Sequence, residues 1–217
     1  MDGRKALTAE FIGTFALIYI GAGAGALGVG GLVGIALAHG LVIVAFAYAY
    51  GHHSGTHINP AVTFGMMIAG EISLTDAIRY WVVQFAGATL AAFALSATIR
   101  GSGATGLGAT TFDPVSMTST QAILIEAILT FFLVNTIMNT AVSGKAGNLA
   151  GLAIGITLVF CILMGGPLTG ASLNPARTFG PALVSGDLRQ FWVYLVGPLL
   201  GAAAAALLYR SVLRETD

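Results

Sequence analysis

Charge is what this 217-residue chain has least of. Only 8% of its residues are Asp, Glu, Lys or Arg, against roughly 25% in an average soluble domain. Nine basic residues balance nine acidic ones, so there is no basic footprint for nucleic acid and no net charge to keep an apolar surface in solution. A single cysteine, Cys161, excludes a disulfide framework and any Cys-rich metal centre. Glycine-rich stretches occur, but none runs into the Lys-Ser or Lys-Thr of a phosphate loop. No nucleophile–base pair stands out either, so the sequence calls for no enzyme chemistry, no cofactor and no metal. What is abundant is apolar: 56% of residues are hydrophobic, and 30 glycines bring the total to about 70%. That composition belongs in a lipid bilayer.

A helix crossing about 30 Å of hydrocarbon needs about 20 apolar residues. Six segments qualify or nearly so: Ala6–Leu27, Leu32–Tyr50, Ala77–Ile99, Gln121–Val142, Leu149–Gly165 and Phe191–Leu213. No period-2 alternation suggests a barrel, so the predicted class is an all-α membrane protein. The first segment lacks the pattern of a cleaved signal and is kept as a span. Two half-length apolar pieces remain, Ala61–Ala69 and Ala176–Val184, each opened by Asn-Pro-Ala. Asn before Pro at a first helical position is a helix-start signature, which predicts two half-helices beginning inside the membrane.

With six spans both termini share one side. That side collects Arg4, Lys5, Arg79, Lys145, Arg210 and Arg214, and the other collects Arg100 and Arg189. The imbalance predicts cytoplasmic termini. The polar stretch Arg100–Thr120 then reads as a loop over the far pore mouth.

An internal repeat organises these pieces. Residues 54–65 align with residues 169–180 at an offset of 115, with seven of twelve positions identical. Glu10, Thr14 and Phe15 match Glu126, Thr130 and Phe131 at 116, and Trp81-Val82 match Trp192-Val193 at 111. Each half reads span, span, half-helix, span. Three spans is an odd number, so the second half is inverted relative to the first, and the shared site lies near the midplane. The chain is expected to form a single transmembrane channel domain with halves of about 1–105 and 115–217.

Asn59-Pro60-Ala61, Asn174-Pro175-Ala176, the following Arg177, and the paired Glu10 and Glu126 together resemble the aquaporin family (major intrinsic proteins) over essentially the whole chain. The resemblance implies six spans, two re-entrant half-helices, a homotetramer with one pore per subunit, and passage of water or small neutral solutes. Register against the two motifs gives His39, Ile162, Ala171 and Arg177 as the constriction. This set is most similar to that of the plant tonoplast intrinsic proteins, a branch that includes channels for ammonia, urea or other small neutral solutes as well as water. The expected function is a passive channel for water, and also for ammonia, urea, glycerol or hydrogen peroxide, that excludes protons and ions. A strictly water-selective pore and a proton- or ion-coupled transporter remain the alternatives. The host expected is the cell membrane, ahead of a vacuolar-type one.

Each residue carries two readings. Asn59 and Asn174 can donate to a water at mid-pore, or simply cap their half-helices. Arg177 is a selectivity arginine or half of a structural ion pair. His39 lines the filter or is a satisfied interior histidine. Glu10 and Glu126 anchor the re-entrant loops or relay protons. His57 is expected to line the cytoplasmic half of the pore, with His52 and His53 near its mouth. The His53–His57 spacing also suits a metal on a helix. Cys161 reads as a small core residue. The stretches Gly21 to Gly25 and Gly197 to Gly201 read as close helix contacts.

Overall fold

The computed structural model describes residues 3–104 and 106–215. Residues 1, 2, 105, 216 and 217, among them outer bounds of the two expected halves, lie outside the described residues. Among the described residues, six helices are long and apolar enough to cross a membrane: α1 (Gly3–Leu27), α2 (Gly31–Ser54), α4 (Leu74–Thr98), α5 (Ser119–Val142), α6 (Gly147–Thr169) and α8 (Phe191–Leu213). Between them lie the half-helices α3 (Pro60–Ala69) and α7 (Pro175–Ser185). No strand occurs among the described residues. The expected spans are all present. Most start two or three residues early, and α2 and α6 each run four residues further, to Ser54 and Thr169. His52 and His53 therefore sit on the last turn of α2 rather than in the irregular segment that follows it.

Helix ends follow local chemistry. Thr118 and Gln121 form a reciprocal capping box at the start of α5, and Ser73 accepts from the Asp76 N–H at the start of α4. Each half-helix starts at an extended Asn followed by Pro, and each ends at a glycine with positive φ, Gly70 or Gly186. Outward faces stay apolar: Val33, Leu37 and Leu41 on α2 are each more than 40% exposed, a face suited to apolar surroundings rather than to water.

Glycine sets the closest helix approaches, and these contacts come in matched pairs. A Cβ on Gly87 would meet the Phe11 carbonyl at 2.6 Å, and one on Gly201 would run into the Ala127 carbonyl. Thus α1 packs on α4 as α5 packs on α8. A Cβ on Gly40 would meet the Gly155 carbonyl at 2.7 Å, and one on Gly155 would meet the Gly40 carbonyl at 2.6 Å. That reciprocity, i to j and j to i, is what a two-fold axis between α2 and α6 produces. The half-helices are exchanged across it. Gly65 of α3 lies against Ala202 of α8, and Gly180 of α7 lies against Ala88 of α4.

The last span of each half obeys a different offset from the one that its tryptophans suggest. Tyr80 donates to the carbonyl of Ser54, and Tyr194 donates to the carbonyl of Thr169, at 3.0 and 2.7 Å. The equivalent tyrosines are 114 apart, as are Gly87 and Gly201. The Trp81/Trp192 match at 111 is a coincidence of type. The Trp81 indole donates to the Pro60 carbonyl, whereas Trp192 is half exposed.

Candidate functional site

The two half-helices meet at their N-termini. Asn59 Oδ1 accepts from the N–H groups of Ala61 and Val62, and Asn174 Oδ1 accepts from those of Ala176 and Arg177. Each amide nitrogen reaches into the other half: Asn59 Nδ2 donates to the Leu173 carbonyl and Asn174 Nδ2 to the Ile58 carbonyl, both at 2.9 Å. Capping and a position at the pore are therefore one arrangement. The oxygen caps, one amide hydrogen locks the partner loop, and the second hydrogen is left over. Both helix N-termini bring partial positive charge to this point. Pro60, Ala61, Pro175 and Ala176 are buried behind the asparagines and form the first turns.

The loops before the motifs carry strain that the sequence does not advertise. Thr56, Ile58, Ala171 and Leu173 all have positive φ, between 41° and 54°. For residues with a Cβ, and above all for β-branched Thr56 and Ile58, this conformation costs about 1 kcal/mol or more each. The buried glutamates hold it. Glu10 accepts from the N–H groups of His57 and Ile58, from Ser54 Oγ and from Gln84 Nε2, at 2.6–2.8 Å. Glu126 accepts from the N–H groups of Ser172 and Leu173 and from Thr169 Oγ1, at 2.7–2.9 Å. Neither carboxylate lines the pore cavity.

That cavity, of about 450 Å³, runs from the end bearing the termini up to Arg177. His57, Asn59, Asn174, Ile162, Ala171, His39 and Arg177 all border it, whereas Pro60, Ala61, Pro175 and Ala176 do not. His39 is held by a hydrogen bond from its Nδ1 to the Ile35 carbonyl at 2.9 Å. A carbonyl only accepts, so Nδ1 carries the proton and Nε2 of the neutral ring presents a lone pair. Nε2 is buried with no protein partner. Arg177 is 5% exposed, donates from Nη1 to the Gly108 carbonyl at 2.6 Å, and keeps Nε unpaired. The cavity wall thus offers an acceptor from His39 and donors from Arg177, with Ile162 and the small Ala171 also bordering it. No carboxylate pairs with Arg177 among the described residues.

His57 has a defined tautomer as well. Thr63 Oγ1 gives its proton to the Asn59 carbonyl and accepts from Gln84 Nε2, so its contact with His57 Nδ1 at 3.1 Å is donated by the histidine. His57 Nε2 then presents an acceptor on the side bordered by the cavity. His53 does not join it. It lies in a separate surface groove with Arg4, Lys5 and Tyr50, and among the described residues no group of metal ligands is found.

Sequence reading misplaces one glycine and misses several partners. Gly21 makes room for a side chain: a Cβ there would meet the His39 ring at 2.5 Å. Gly197 and Gly201 do pack on α5. Gly108, Thr110 and Gln84 hold the site without belonging to any motif, and Ser172 does so from within the repeat. The offset of 115 was the one signal available, since it pairs Ile58 with Leu173 and Thr56 with Ala171.

The profile of the family described as Major intrinsic protein matches residues 1–209. The chain belongs to this family. It is an integral multi-pass membrane protein and a passive channel for water and small solutes. The chain is 41% identical to probable aquaporin TIP3-2 of Arabidopsis thaliana over 96% of its own length and 83% of that protein's. It is 39% identical to aquaporin TIP2-1 of Zea mays, over 96% and 87%. Among solved structures, the aquaglyceroporin from Plasmodium falciparum superposes with a TM-score of 0.89 at 25% identity, covering 98% of each chain.

Mercury is expected to leave this channel open. Cys161 is fully buried with its Sγ 3.6 Å from the Leu129 carbonyl, and it does not border the pore cavity. Water flux before and after mercuric chloride should coincide. Strong block that Cys161→Ser abolishes would contradict the burial.

Proposed function

We propose that the pore conducts water together with a small neutral solute of the ammonia and urea class, and that it excludes protons and ions. The observation that carries this reading is the pairing at the constriction of an imidazole acceptor, His39 Nε2, with the guanidinium of Arg177, beside a side chain as small as Ala171. A solute with both a donor and an acceptor satisfies the two walls at once, and a cation meets the fixed charge of Arg177. Asn59 and Asn174 each have a spare amide hydrogen for a water oxygen. Such a water turns its own hydrogens outward, which breaks a proton wire. His57 continues the passage below them, while Glu10 and Glu126 anchor the loops.

The assembly proposed is a homotetramer of single-domain subunits, with halves of about 1–105 and 115–217 as inverted copies. The excess of Lys and Arg supports termini on the cytoplasmic side. The TIP-type relatives support a vacuolar-type membrane as host, ahead of the cell membrane.

The test is stopped-flow light scattering on proteoliposomes, first under an impermeant osmolyte and then under urea, glycerol and ammonia gradients. Fast water flux with urea or ammonia flux, and no proton leak, is the expected result. His39→Phe should then cut the solute flux several-fold while water still passes, because an aromatic wall replaces the acceptor. Water flux alone would establish the strictly selective alternative. Flux that follows a proton gradient would favour a coupled transporter.

A further inference from the structure

The loop between α4 and α5 is tied to half-helix α7 by a chain of buried hydroxyls, and that chain has a direction. Thr110 Oγ1 lies 2.6 Å from Thr178 Oγ1, which lies 2.6 Å from Ser172 Oγ. Ser172 Oγ donates to the Asn174 carbonyl at 2.8 Å, which uses its one proton. Thr178 must therefore donate to Ser172, and Thr110 must donate to Thr178. All three side chains are buried, so water does not compete for these bonds. Two residues before Thr110, the Gly108 carbonyl takes Arg177 Nη1. Among the described residues it is the guanidinium's hydrogen-bond acceptor. Gly108 has a φ of +65°, and a Cβ there would run into the Ala22 carbonyl, so its peptide has little freedom once the loop is seated. Beyond Thr110, Phe112 and Gln190 exchange two hydrogen bonds at 2.8 and 3.0 Å.

We propose that Thr110 and Thr178 are positioning residues for the filter: their hydroxyl pair seats the loop so that Gly108 holds Arg177 at its place in the constriction, and the pair thereby sets which solutes pass. The proposal rests on Arg177 being a filter residue, as proposed above. Thr178 immediately follows Arg177, so a single turn of helix carries both the filter charge and the hook for the loop that aims it. Removing the Thr110 hydroxyl leaves Thr178 still donating to Ser172. What is lost is the tie to the loop, not a buried donor's only partner.

The experiment compares Thr110→Val, which keeps the shape, Thr110→Ser, which keeps the hydroxyl, and Arg177→Ala in proteoliposomes. The readout is the urea-to-water permeability ratio, which does not depend on how much protein is incorporated. Thr110→Val should raise the ratio roughly fivefold, the scale of one hydrogen bond. Thr110→Ser should return it to the wild-type value, and Arg177→Ala should shift it at least as far as Thr110→Val. A shift in Arg177→Ala with none in Thr110→Val overturns the positioning role and leaves the filter intact. No shift in either overturns the filter reading and the proposal with it. A Thr110→Val channel that loses urea and water flux in equal proportion marks a merely structural hydroxyl and also overturns it.

Discussion

Glu126→Ala should yield no folded channel. The carboxylate accepts from Ser172 N–H, Leu173 N–H and Thr169 Oγ1 at a depth where no water replaces it. A buried donor left unpaired costs about 1–3 kcal/mol, so the two N–H groups cost about 2–6 kcal/mol (Thr169 Oγ1 can turn to the Gly165 carbonyl), against a typical total stability of about 5–15 kcal/mol. The positive φ of Leu173 would lose its restraint at the same time. Glu10→Ala should be at least as severe, because Gln84 Nε2 is a fourth donor there. Glu126→Gln keeps one accepting oxygen and turns the other into a donor facing donors, so it should fold with a markedly lower melting temperature. Fluorescence-detected gel filtration and a thermal scan in detergent distinguish the three. A monodisperse Glu126→Ala channel of wild-type melting temperature would refute the anchoring role.

Gly201→Val is expected to be comparably damaging for a different reason. The new Cβ would run into the Ala127 carbonyl and crowd the Phe131 N–H at 2.9 Å, both on the backbone of α5. Backbone cannot swing aside as a side chain can, so the whole α5–α8 pair must separate, and the cost exceeds the roughly 1–3 kcal/mol usual for an overpacked core. In lipid, packing contacts are the main force between helices, so separation is not offset elsewhere. Gly87→Val should behave alike through the Phe11 carbonyl. Gly201→Ala adds the same Cβ and should be damaging as well, less than Gly201→Val only by the two further methyl groups. Equal melting temperatures for Gly201→Val and the wild type would show that α5 and α8 have slack there.

Fold and site were unequally legible in the sequence. The spans were readable because lipid demands apolar residues on every face, and the half-helices because Asn-Pro-Ala combines a cap with a first-turn proline. The same all-round apolarity erases any periodicity, so nothing in the pattern told which face of α1 would meet His39. Gly21 therefore looked like a helix contact. His39, Ile162, Ala171 and Arg177 were found by register against the motifs, and they do border one cavity. The residues that hold them were out of reach. Thr110 and Gly108 lie in a polar stretch with no motif, and their partners are 68 and 69 positions away. Hydrogen bonds of that separation leave no local trace. The 111 offset of the tryptophans shows the opposite failure, a local likeness with no shared role.

The exchange of half-helices has a consequence for synthesis. Until Leu173 is made, the Asn59 amide has no carbonyl to receive it, and until α5 and α8 are in place, Gly65 of α3 lacks its neighbours Val134 and Ala202. A nascent chain that ends after α4 therefore holds its re-entrant segment on one side only: Glu10, Trp81 and Gln84 are there to bind it, but the second half is not. The first loop can take its anchors early, but its contacts across the midplane wait for the second half, so the two halves are completed together although they are translated in sequence.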